Sequence, residues 1–253
     1  MKKLNIKIVY LTFAALGLIG LAACNKNEAP ASLPQGAKTQ APPSLADLGN
    51  KVAVTQAVNS RLQKGDPLTS VASYRKLDSG NQIMFLYLGL LSLPVDYEKV
   101  VESYSKEYKN TNDSFKKKDI LTALQPKIDQ EILQAKSARY ILLESKDSAL
   151  LERYDFNKKS FAVKQFSDND RYTYYYDNSQ YTLAKTNATQ FATLSVPDEA
   201  KARAIEGYLS KYTPLRTETY AYAQDADPSN QRVKLEIMKF RLLSPSGEVL
   251  AEQ

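Results

Sequence analysis

Histidine and tryptophan are absent from this chain, and cysteine occurs once, at Cys24. Without an imidazole there can be no Ser-His-Asp triad, no Cys-His dyad and no His-ligated zinc, iron or haem. A single thiol rules out Cys-rich zinc sites, iron–sulfur clusters held by this chain alone and any disulfide within it. Neither Gly-x-Gly nor Gly-Lys-Ser/Thr occurs, so the loops that cradle phosphates are missing as well. No cofactor and no metal is expected. What remains is ordinary for a folded protein: 253 residues, 43% hydrophobic and 25% charged.

Lys2, Lys3 and Lys7 precede an uncharged run from Ile8 to Ala22. As a helix that run would span roughly 22 Å, short of the roughly 30 Å of a bilayer's hydrocarbon core. A basic start, a short apolar run and small residues before a cysteine make the plan of an export signal. The tetrapeptide Leu21-Ala22-Ala23-Cys24 resembles the bacterial lipobox, and on that resemblance the chain is identified as a bacterial lipoprotein. The resemblance implies cleavage between Ala23 and Cys24, removal of residues 1–23, and palmitate-type acyl chains on Cys24. Each buried CH₂ contributes about 0.8 kcal/mol, so two or three chains would hold the protein on a lipid bilayer. Asn25, where Asp would favour inner-membrane retention, implies the outer membrane if the host is Gram-negative.

The signal carries three of the 34 basic residues and none of the 28 acidic ones. The mature chain is therefore nearly balanced, which gives no support to a nucleic-acid partner. Residues 24–43 read as lipid anchor and flexible linker, with Pro30, Pro34, Pro42 and Pro43 among Ala and polar residues.

Residues 44–253 read as one domain. Ser44-x-x-Asp47 starts a helix that Gly65-Asp66-Pro67 stops. Ser79-x-x-Gln82 caps the apolar run Ile83–Leu91, a central buried helix. Pro94 opens a helix with its face at Tyr97, Val100, Val101, Tyr104 and Tyr108. Another face runs through Leu121, Leu124, Ile128, Ile132 and Ala135, with a kink or two abutting helices at Pro126. Strands are expected at Tyr140–Leu143, around Tyr154–Val163 as a hairpin, at Arg171–Tyr181, at Phe191–Val196, and as a final pair at Thr217–Ala223 and Val233–Leu243. One late helix follows Pro197-Asp198-Glu199. The expectation is an α+β fold: a helical half over 44–138, then a mainly antiparallel sheet over 139–253 with one late helix.

Four constellations bear on function. Ser73/Lys76, Ser103/Lys106 and Ser114/Lys117 have Ser-x-x-Lys spacing. With Ser167-Asp168-Asn169 and Lys185-Thr186-Asn187 they resemble the motifs of penicillin-interacting enzymes, although the third motif lacks its glycine. Asp225-x-Asp227-x-Ser229 with Glu236 imitates a calcium loop, but Asn230 stands where glycine belongs. Lys116–Lys118 is offset by Glu107, Asp113 and Asp119, as on a solvated helix face. In Arg171-Tyr172-Thr173-Tyr174-Tyr175-Tyr176, alternation puts Tyr172, Tyr174 and Tyr176 on one side, where exposed rings would stack on sugar or peptide. The expected function is therefore a membrane-anchored envelope lipoprotein whose domain is a non-enzymatic binding or scaffold module for an envelope protein or glycan. The alternative is an envelope hydrolase acting on peptidoglycan through carboxylates or a Ser-Lys pair.

Overall fold

A computed structural model describes residues 58–253 apart from positions 60, 92, 148, 149 and 170. The export signal, Cys24, the linker and most of the helix expected over 44–64 lie outside the described residues.

The first described strand is β1 (Arg75–Lys76). The apolar run after Ser79 folds as α1 (Gly80–Leu90), with the Ser79 hydroxyl accepting from Asn81 N. Gln82, expected to reach back to Ser79, instead accepts from Asp78 N at 2.8 Å. The Tyr97–Tyr108 face is divided at Ser105 between α2 (Tyr97–Tyr104) and α3 (Lys106–Asn110). Ser105 closes the first helix and caps the second, its hydroxyl accepting from Tyr108 N. Next comes α4 (Ser114–Ser137), a single helix that runs through Pro126. The proline forgoes one backbone donor but does not end the helix, because Ile128 and Ala135 beyond it are buried in the core.

Then follow β2 (Tyr140–Asp147), β3 (Ser160–Ala162), β4 (Tyr172–Thr173), β5 (Thr182–Lys185), β6 (Thr193–Ser195), α5 (Glu199–Ser210), β7 (Leu215–Asp227), β8 (Arg232–Leu243) and β9 (Val249–Glu252). Seven strands make one sheet in the order β1-β2-β7-β8-β5-β4, with β9 also pairing β8; β3 and β6 form a separate antiparallel pair.

The fold is α+β, but two parts of the expected arrangement are corrected. The sheet is mixed, not mainly antiparallel: β1 runs parallel to β2, and β5 parallel to β8. Helices α1–α4 lie between β1 and β2, so the chain does not simply pass from a helical half to a sheet half. Alternation tells which face a strand buries but carries no sign of its direction. β1, two residues long, is too short to show alternation at all.

β8 carries the architecture. β7 pairs along nearly its whole length, while β5 takes one end of its other side and β9 the other end. Its alternating buried positions are Val233, Leu235 and Ile237, then Phe240 and Leu242, with Leu243 buried at its end. The change of parity falls at a bulge, where Ala221 pairs with Ile237 and Tyr220 with Lys239. The extra residue keeps both stretches on one face. That face bears two cores. One joins α1, α2 and α4 to Ile141, Leu183, Ala221 and Leu235. The other joins α5 and the β3–β6 pair to Leu215, Ile237, Phe240 and Leu242.

On the opposite face Tyr140, Tyr222 and Glu236 stand side by side by register. Residues 61–74 lie over them. Lys64 Nζ and Gly65 N donate to Glu236 at 2.9 and 3.1 Å, and Asp66 N donates to Tyr140 Oη at 2.8 Å. Tyr74 meets Tyr140 and Tyr220 edge-on, with centroids at 5.3 and 5.1 Å. Gly65 fits here for lack of a side chain: a Cβ would sit 2.8 Å from Tyr222 Cβ.

Candidate binding surface

The tyrosine-rich segment 171–181 divides into rings that anchor it and rings that face solvent. Only Tyr172 and Thr173 form a strand, pairing with Ala184 and Leu183 of β5, so the single strand expected over Arg171–Tyr181 does not form. A 3-10 turn at Tyr176–Asn178 follows. Tyr175 points inward, its hydroxyl donating to Leu77 O at 2.8 Å. Burial, with smaller contributions from Asp78 and Asp177, pushes its pKa up to about 12, so it remains a neutral donor. Tyr181 is buried against Tyr87, with centroids 5.4 Å apart.

Between these anchors the turn is fastened to α1. Asp177 accepts from Ser79 Oγ, Gly80 N and Asn81 N at 2.6, 2.8 and 3.2 Å. A carboxylate from a distant part of the chain thus caps the first turn, where the helix dipole also favours negative charge. Burial alone would raise the Asp177 pKa, but the hydrogen bonds from Ser79, Gly80 and Asn81 together hold it below the ordinary carboxylate value. Buried Asn178 donates to Asn81 Oδ1 at 3.1 Å. A Cβ on Gly80 would lie 2.6 Å from Asn178 O, so the close approach requires glycine there.

Held on this backbone, Tyr172, Tyr174 and Tyr176 are 52%, 43% and 93% exposed. Tyr172 and Tyr174 are tilted by 38° with centroids 6.3 Å apart. Tyr174 and Tyr176 are nearly perpendicular, at 81° and 5.7 Å, and form an aromatic corner. Exposed rings clustered on a pinned backbone are what a preorganised contact surface needs.

Cations stand on both sides of the strand at the Tyr172 end. The Arg232 guanidinium lies 5.2 Å from the Tyr172 centroid, and its Nε donates to Thr182 Oγ1 at 3.3 Å. Arg171 donates from Nη1 to Lys164 O at 2.9 Å. Lys185, 6% exposed, donates to Thr173 Oγ1 at 3.0 Å and lies 6.0 Å from the Phe166 ring. Burial first, then the positive charge of Arg171, brings its pKa down to about 8. Sequence alternation points to the three tyrosines. It offers no sign of Arg232, which reaches them through the parallel pairing of Thr182 with Arg232.

The other constellations stay dispersed. Ser103 Oγ donates to Val100 O, and Ser167 Oγ to Lys164 O. Lys76 pairs with Glu144 and Asp78, and Lys117 lies over the Tyr108 ring. Among the described residues, no hydrogen bond joins a serine hydroxyl of these motifs to a lysine amine. Asp227 closes the β7–β8 turn by accepting from Ser229 N and Asn230 Nδ2, while Glu236 is engaged by Lys64 and Gly65. Among the described residues no group of three or more acidic residues stands ready for a metal ion.

A concavity of about 500 Å³ lies beside α5 between Phe156, Tyr154, Arg153, Arg203 and Glu199. Phe156 is 81% exposed and meets Tyr154 edge-on at 5.2 Å. The groove's other carboxylate, Glu206, is occupied: it accepts from Tyr154 N and Arg153 Nη1, each at 2.7 Å. Sequence reading places Tyr154 and Phe156 in a hairpin arm and gives no sign of the groove. None of the described helices is long and apolar enough to cross a membrane.

Compared with known proteins, the chain matches no family model, no curated protein and no solved structure.

Proposed function

We propose that this protein is a lipid-anchored lipoprotein of the bacterial cell envelope, on the outer membrane in a Gram-negative host. Its folded domain is a non-enzymatic binding or scaffold module that uses Tyr172, Tyr174 and Tyr176 as its contact face. The anchor rests on Leu21-Ala22-Ala23-Cys24. One observation carries the binding role: three exposed tyrosines cluster on backbone fastened by Tyr175, Asp177 and Asn178. Tyrosine is favoured at recognition surfaces because it offers broad apolar contact and a polar tip at low entropic cost. No observation favours the hydrolase alternative, since the Ser-Lys pairs are dispersed and Glu206 is held in structural bonds.

Two measurements in cells test the two halves. Labelled palmitate should mark the wild-type protein and not Cys24→Ala; an unlabelled wild type removes the anchor. A photo-crosslinking residue at position 176 should capture an envelope component that the same residue at exposed position 109 does not. Equal capture at both positions, or none at either, removes the binding face.

A further inference from the structure

We infer that the ligand of this surface is an acidic glycan, a polysaccharide whose sugar rings carry carboxylates; this names the ligand class of the binding face proposed above and rests on that reading. Three observations converge on it.

The first is the shape of the aromatic group. A pyranose presents a face of C–H bonds that packs against the negative face of a π system. The near-perpendicular Tyr174 and Tyr176 can hold one such ring by its face and its edge, while Tyr172, 6.3 Å from Tyr174, offers the next contact along a chain. Stacked flat bases would instead want parallel shelves.

The second is what the sheet edge withholds. An added peptide strand needs a run of free backbone donors and acceptors. β4 is two residues long, and the 3-10 turn at Tyr176–Asn178 ends any extension of it. Little backbone is left for a peptide to pair with, whereas the rings remain open.

The third is charge. Arg232 stacks on Tyr172 and among the described residues forms no ion pair within 4 Å, while Arg171, turned to Lys164 O, and buried Lys185, beside Thr173, add positive charge from behind the strand. Two carboxylates lie nearby, and one of them, Asp227, stands opposite Arg232 across the β7–β8 pairing and feels its positive charge without an ion pair inside 4 Å. Asp177 is bound into the first turn of α1, and Asp227 accepts from Ser229 N and Asn230 Nδ2. Arginine presents a planar fork suited to a carboxylate, and its stacking on Tyr172 orients that fork beside the aromatic surface. A carboxylated sugar stacked at Tyr172 would bring its anion to Arg232.

The test uses the full-length protein in non-ionic detergent, with oligogalacturonate, neutral cellohexaose and inorganic polyphosphate as probes. The charge-assisted contact predicts that oligogalacturonate binds roughly tenfold or more tightly than cellohexaose. Arg232→Gln should bring the ratio of the two affinities down toward one. Tyr174→Ala and Tyr176→Ala should weaken both sugars. Equal affinity for the two sugars, lost in the tyrosine variants, overturns the acidic ligand and leaves the binding face standing. Polyphosphate binding as tight as oligogalacturonate and indifferent to the tyrosine variants overturns the inference as general polyanion attraction. Absence of sugar binding overturns it too, and crosslinking at position 176 then decides the binding face by itself.

Discussion

Two groups of tyrosines stand on this domain, and what covers them sets them apart. Tyr140, Tyr220 and Tyr222 lie beneath residues 61–74, whose Tyr74 meets Tyr140 and Tyr220 edge-on while Tyr140 tilts against Tyr222, and Tyr220 and Tyr222 are buried. Tyr172, Tyr174 and Tyr176 contact one another in the same geometries but have no segment over them among the described residues. In the covered group the Tyr140 and Tyr220 hydroxyls have partners within the fold. Tyr220 Oη donates to Glu218 and accepts from Arg241, which also bonds Glu252. Burial and the Glu218 bond push the Tyr220 pKa up to about 12. The uncovered group keeps Arg232, stacked on Tyr172, with no ion pair within 4 Å among the described residues. The same side chain thus serves cohesion where the chain folds back over it and is available for contact where it does not.

The largest expected effect strikes at the covered group. Tyr220→Ala should cost about 3–5 kcal/mol, from lost aromatic burial and stranded partners. Tyr176→Ala should stay within about 0.5 kcal/mol, because its ring is 93% exposed. Urea midpoints at equal slope measure both, and similar losses would erase the distinction.

Gly80→Ala comes next, at about 1–3 kcal/mol, because the new Cβ would meet backbone that cannot rotate away. It should also loosen segment 172–181, read as faster amide exchange there than around Tyr220. Unchanged exchange would mean that the α1 junction does not pin the exposed rings.

Lys185 gives a pH-dependent test. Its folded pKa of about 8 lies below the 10.5 of an ordinary lysine. Between those values the unfolded chain holds the extra proton, so this group makes stability rise with pH across that window. Below about pH 8 the buried charge is a continuing penalty. Lys185→Met should therefore melt higher than wild type at pH 7, with the difference closing toward pH 10.5. A constant difference would mean the amine is not buried in its charged form.

The smallest effect lies outside both groups. Gly207 is an exposed residue inside α5 with open space at its Cβ position. Gly207→Ala should stabilise by about 0.5–1 kcal/mol and leave ligand contact unchanged. A loss of stability would contradict the helix there.

Much of the fold is legible in the chain by itself. Ser79 caps an all-apolar stretch that becomes α1, and the Leu121–Ala135 periodicity becomes one face of α4. Asp198 caps α5 after Pro197, and β7 and β8 fall where alternation places them, β7 running past both expected ends and β8 starting one residue early. These signals are local: a cap, a period, a turn. The bulge at Met238 is not legible, because a change of parity within an apolar strand looks like noise until a partner shows the skipped residue.

The candidate surface divides in the same way. Alternation groups Tyr172, Tyr174 and Tyr176, although the backbone leaves the strand after Thr173. Repeated Ser-x-x-Lys spacing is equally visible in the sequence and brings nothing together, since a spacing of three sets proximity only along one helix. Composition alone excluded histidine and disulfide chemistry, and the first 24 residues alone carry the lipoprotein resemblance. Tertiary structure decided the parallel course of β1 and β5, the burial of Lys185, the approach of Arg232 to Tyr172, and which tyrosines lie under cover. Each of these depends on segments far apart in the chain meeting, and their contact energies belong to pairs of positions that no local pattern records.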